Sequence, residues 1–259
     1  MERMTAHRCL RPLAGLLCTA LLLTGISQAA KPAPPLELAG GARIGLVNLL
    51  DAEVTHYHAA PQLTASAVKT QPVPWRIERM LNEAVAADLG GIGLVPVDLA
   101  PGDTLRGLRE DCFLDANLEK ALAKDCAAAY AALAQSQHLQ AIIVLGPGLN
   151  NAAHAQGTRR RELPEYLRGW CVLTDGKPGA GAPTLLNLTE LLLIATPPQG
   201  AALAAREWGG AVSSLWMGYA APADPRQLGE AQVAQLQPLF AALLRGQAQR
   251  LLTYLAVAR

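Results

Sequence analysis

The chain has 259 residues, 51% of them hydrophobic and 17% charged, with a formal net charge of +1. That length provides one sizeable core, or a core plus a small lobe. Near-neutral charge excludes a general basic field able to recruit nucleic acid or anionic lipid.

In chain order, the first feature is an export signal. Arg3, His7, Arg8 and Arg11 form a short basic segment, Leu13 to Ile26 is almost wholly apolar, and Ser27-Gln28-Ala29 offers small residues to a signal peptidase. The apolar core of about 14 residues is too short to span ~30 Å of hydrocarbon. Residues 1–29 therefore read as a cleavable signal peptide, with a periplasmic mature chain starting at Ala30. Arg3, Arg8 and Arg11 leave against Glu2, so the net charge falls from +1 to −1. Cys18 follows Leu17, where a lipoprotein signal wants a small residue, so it reads as part of the apolar run. No membrane anchor is expected after cleavage.

Residues 30–41 are rich in proline and alanine and read as a tether; residues 42–259 read as a single domain. Arg43 to Leu50 (RIGLVNLL) is short and apolar, as suits a strand covered on both faces. Asp51-Ala52-Glu53 resembles a turn and Val54 to Ala59 alternates, so the two segments are expected to form a hairpin. Pro61 to Pro74 reads as a loop. Ile77, Met80, Leu81, Ala84, Val85 and Leu89 recur at helical spacing, and Gly90-Gly91 is the expected stop. Ile92 to Leu99 is a second strand, in which Pro96 favours an edge.

Ala100 to Ala116 reads as a second loop and Asn117 to His138 as a helix with Cys126 on its inner face. Ala141 to Leu145 (AIIVL) is a third core strand, stopped by Gly146-Pro147-Gly148. Trp170 to Asp175, Thr184 to Ala195 and Ala201 to Trp208 are expected strands joined by turns, antiparallel in character. A helical end starts near Leu228, with Pro238 interrupting it. The alternation predicts an α/β fold: a single domain with a mixed sheet, parallel in its first half and antiparallel in its second, covered by helices and closed by a C-terminal helix.

The segments RIGLVNLL and LAQSQHLQAIIVLGPG carry a resemblance. Their order and the hairpin strands that follow are similar to the small α/β domains of periplasmic envelope proteins, namely the N-terminal domain of the Tol translocation protein and the curli-secretion lipoprotein group. The chain also resembles a group of exported proteobacterial proteins in its layout. The resemblance implies a role at the cell envelope and carries no catalytic residue across.

Chemistry-bearing patterns are few. The Gly-x-Ser-x-Gly elbow of α/β hydrolases does not occur. His56 and His58, two apart on a strand, share one face and form the candidate metal pair; Asp51, Glu53 and His154 are the candidates for a third ligand. The loop after Leu145 lies where open α/β sheets place ligands, and Asn150, Asn151, His154 and Arg159 are its candidate polar lining. Arg159, Arg160 and Arg161, with Arg168, form the one local basic cluster, suited to an acidic partner, a phospholipid headgroup or a polyanion. Cys112 and Cys126 close a short loop and are the first pair expected to bridge, three buried thiols being the alternative. No cofactor is expected. The functional expectation is a non-catalytic binding or assembly factor at the envelope, with an envelope protein as partner and no nucleic acid. The alternative is a periplasmic hydrolase or metal-dependent enzyme using the loop after Leu145 or the histidine pair.

Overall fold

The computed structural model describes residues 34–60, 66–114, 121–148, 167–175, 183–212, 216, 219, 224 and 226–258. These belong to one compact unit, Pro34–Arg259. The strands are β1 (Leu36–Leu38), β2 (Arg43–Asn48), β3 (Glu53–Ala59), β4 (Ala67–Pro72), β5 (Val95–Leu99), β6 (Ala141–Pro147), β7 (Gly169–Asp175), β8 (Thr184–Ala195), β9 (Ala202–Val212) and β10 (Leu255–Val257). The helices are α1 (Ile77–Gly91), α2 (Asp103–Gly107), α3 (Arg109–Leu114), α4 (Lys124–Gln137) and α5 (Glu230–Leu252). The mixed α/β sheet expected from the sequence is present, as an eight-stranded sheet of order β4-β3-β7-β8-β6-β2-β5 with β9 also paired to β8.

β8 is the spine. Its residues 189–195 pair antiparallel with β6 and its residues 184–188 with β7, while β9 runs beside both halves. On the β6 side β2 and then β5 follow in parallel; on the β7 side come β3, parallel, and β4, antiparallel. The sheet therefore forks. β2 and β3 occupy equivalent places in the two branches, as do β6 and β7. The chain crosses from one branch to the other between β2 and β3, and again between Pro147 and Gly169.

This overturns the expected hairpin of β2 with β3. The backbone does not reverse at Asp51: Leu49 N–H still donates to Leu145 O at 2.8 Å, continuing the β6 pairing. Asn48 manages the break. Its Nδ2 donates to Ile77 O at 2.7 Å, and its Oδ1 accepts from Leu50 N–H at 2.9 Å.

Both faces of the β6 branch are covered at β6 and along β2 beyond Arg43, which is why those two strands are largely apolar. Ile44, Leu46, Ala141, Ile143, Leu145, Leu191 and Leu193 meet α1 and α5 on one face. Val47, Leu49, Ile142, Val144, Leu192 and Ile194 meet α2, α3 and α4 on the other. Gly146 lacks a side chain because Phe113 packs there: a Cβ would sit 2.4 Å from the ring. Cys112 and Cys126 are bridged, joining α3 to α4 with Cα atoms 5.7 Å apart. Cys171 is a free, buried thiol.

Other expectations are corrected. Leu36–Leu38 of the expected tether pair in parallel with β10, with Leu38 buried, so the stretch up to Gly41 is docked where a linker was read. The expected loop from Pro61 holds an edge strand, β4, and the loop from Ala100 holds α2 and α3. The left-handed residue behind α1 is Gly93 (φ 81°), two residues past the glycine pair. α5 runs through Pro238 without interruption. Pro238 and Ala234 are both exposed, so the carbonyl that the proline leaves without a donor meets water. No helix among the described residues is long and apolar enough to cross a membrane.

Candidate functional site

The fork produces a cleft. It holds about 220 Å³ and is walled by Leu49 to Asp51, Glu53, Thr55, Thr70, Arg109, Pro147 and Arg168 to Trp170. It opens at the carboxyl ends of β2 and β6, where the branches part and side chains from both crossings face one space. Ligands of open α/β sheets bind in this position.

Its charges divide into a satisfied pair and two free groups. Arg109, first residue of α3, donates from Nη1 to Asp51 Oδ2 at 2.5 Å and to Leu49 O at 3.4 Å. Thr55 and Thr70, cross-strand neighbours on β3 and β4, share a hydroxyl hydrogen bond of 2.9 Å. Arg168 Nη1 is buried with no hydrogen-bond partner, and so is the indole Nε1 of Trp170. A buried donor without an acceptor forfeits about 1–3 kcal/mol, so such groups call for an account. Trp170 itself is held by stacking against Phe240 of α5, ring centroids 5.5 Å apart.

The histidine pair lies farther along β3, beyond Val54 on the same face. His56 and His58 are both buried, and both reach the same hydroxyl: Thr174 Oγ1 lies 2.7 Å from His56 Nε2 and 2.9 Å from His58 Nδ1. A hydroxyl has one proton to give, so it donates to one ring and accepts from the other. Thr174 thus stands at the point where the two nitrogens converge. Asp51 and Glu53 are not brought to the pair, and no group of three His, Cys, Asp or Glu able to hold a metal occurs among the described residues. Burial, then the neighbouring His58 ring, holds the pKa of His56 down at about 4. Burial likewise pushes the Cys171 thiol up to about 12, leaving it protonated and inert.

Asn150, Asn151, His154, Arg159, Arg160 and Arg161 lie outside the described residues. Arg168, read from the sequence only as a companion of the arginine cluster, and Trp170 line the cleft; nothing in the sequence placed them beside β2 and β3. Their place depends on β7 abutting β6 along β8, a long-range pairing with no local signature.

A second surface lies at the margin of the other branch. Val73 N–H donates to Ala52 O at 2.9 Å, so Gln71 and Lys69 continue as hydrogen-bonded partners of β3. Val68, Thr70 and Pro72 then turn their backbones outward. At the end of this edge lies a largely apolar groove of about 720 Å³, lined by Pro72, Val73, Pro74, Leu228, Val233 and Ala234 with Gln71 and Glu230 as its polar members. The opposite margin is blunted. Val95 N–H donates to Ala42 O, so the outward positions of β5 are Pro96, which has no N–H, and Asp98.

No family model matches the chain, and no curated protein sequence matches it.

Proposed function

We propose that this is an exported, periplasmic protein that acts without catalysis, as a binding or assembly factor at the cell envelope, and that it takes an extended segment of a partner protein along β4. The observation that carries the reading is the largely apolar groove at the Gln71–Pro74 end of β4, next along the strand from the outward backbone of Val68 and Thr70. Strand addition needs this combination: open main-chain groups for affinity and an adjoining apolar recess for side chains. Val68 is 37% exposed on that edge, and few other large hydrophobic residues among those described are as open. Export is supported by the N-terminal pattern of basic, apolar and small residues. The Cys112–Cys126 bridge suits an oxidising compartment. The layout resemblance to envelope domains points the same way.

The test is site-specific photo-crosslinking in intact cells, with the probe at Val68 and a control probe at Ile92. The reading expects a mature chain starting at Ala30 and a discrete envelope-protein adduct from the Val68 probe only. Ala234→Glu, a charge placed at the exposed rim of the groove, removes that adduct. An uncleaved cytoplasmic chain sinks the export half; equal adducts from both probes, or none, sink the docking half.

A further inference from the structure

We propose that the cleft at the fork of the sheet binds a small zwitterion, an amino-acid-like molecule whose carboxylate pairs with Arg168 and whose ammonium pairs with Glu53. The cleft carries two cationic and two anionic side chains, and Arg109 and Asp51 satisfy each other. What remains unpaired among the described residues is one guanidinium and one carboxylate. A dianion such as phosphate would meet two carboxylates in this space, and a simple cation would meet two guanidinia. A ligand carrying both charges meets one free partner for each.

Arg168 is the decisive group. Its Nη1 is buried and donates to nothing, so a carboxylate reaching it would satisfy an orphaned donor. Arginine and a carboxylate then form a charge-assisted, two-point pair. The Thr55 and Thr70 hydroxyls add neutral hydrogen-bonding capacity on the wall. A volume of about 220 Å³ falls below the ~300–1,000 Å³ of drug-sized sites, so the ligand is small.

The experiment is calorimetric titration of the mature chain with glycine, L-alanine, L-glutamate and L-lysine, against acetate, ethylammonium and inorganic phosphate. At least one amino acid is expected to bind saturably at one site, at least tenfold more tightly than acetate or ethylammonium. Arg168→Gln and Glu53→Gln are each expected to weaken it at least tenfold with the thermal midpoint unchanged. If Arg168→Gln does not fold, the exposed Glu53→Gln and the charge-conserving Arg168→Lys decide. No saturable binding by any amino acid overturns the proposal; so does phosphate binding more tightly than all of them, or affinity untouched by the variants. The partner-docking reading rests on a different surface and survives either result.

Discussion

His56 shows how a single buried residue sets a pH response. Its ring is held neutral by burial and by His58, with the Arg226 backbone and then Asp224 opposing, and its pKa stands at about 4 against an ordinary 6.5. The folded chain therefore binds fewer protons than the unfolded one over that interval, and acid favours unfolding. The contribution is fully present above pH 6.5, drains away as pH falls toward 4, and is flat below. Its size is on the order of 3 kcal/mol. Urea midpoints measured at pH 7.5 and pH 4.5 are expected to differ clearly in the native chain and much less in His56→Gln, which keeps a polar group toward Thr174 but does not titrate. An equal drop in both would show that other groups carry the acid sensitivity. The sequence placed His56 and His58 correctly on one face of one strand. The third member is Thr174, which lies opposite His58 in the register of β3 with β7; a threonine carries no metal-site signature, so the trio was not legible.

Among the elements, the Cys112–Cys126 bridge fastens α3 to α4 over the face of β6. By the loop-entropy argument a closure of this length contributes about 3 kcal/mol. The double variant Cys112→Ala/Cys126→Ala is expected to lose about that much in urea denaturation, and reductant is expected to lower the native chain to the same level while leaving the variant unmoved. A reductant effect that persists in the variant would show that the sensitivity does not come from this bridge. Legibility at this scale followed length and burial. α1 and β8 were read almost to their ends, because six apolar residues at helical spacing and a twelve-residue apolar strand leave few alternatives. β4, α2 and α3 were read as loop: each is short, and β4 is an edge strand with polar residues on both faces, so neither period shows. α5 was broken at Pro238 because a local rule against proline ignores whether the freed carbonyl can reach water.

For the whole molecule, fold class and branching had different visibility. Alternating strands and helices announced a mixed sheet, and the apolar RIGLVNLL and AIIVL announced burial on both faces. The fork announced nothing, because it arises from two strands sharing one side of a third, residues 184–188 and 189–195 of β8 taking different partners. Buried polar residues mark the junction. Gln247 of α5 donates to Glu207 O at 2.7 Å, its Oε1 accepts from Asn187 and Thr189, each at 3.1 Å, and Gly209 is bare because a Cβ would meet Asn187 O at 2.1 Å. Glu190 is fully buried and ion-paired with Arg206, whose guanidinium lies 4.2 Å from the Trp208 ring centroid. Breaking such a pair from one side costs about 3–5 kcal/mol, so the spine is chemically specified where the two branches meet.

The position of that spine in the chain has a consequence for assembly in time. The two branches are synthesised first, yet nothing joins them until residues 184–195 arrive, with some seven-tenths of the chain already made. Until then β2 and β3 can already pair on both sides, but β6 and β7 each keep one edge open for β8. Pairings of such long sequence separation are slow to close and leave sticky edges open meanwhile. Hydrogen-exchange labelling during refolding is expected to show protection of β2, β6 and β7 rising together with that of β8. Early, independent protection of either branch would show that it folds alone. A sheet built in this way cannot be closed into one until most of the chain has been made, so its two halves meet only late.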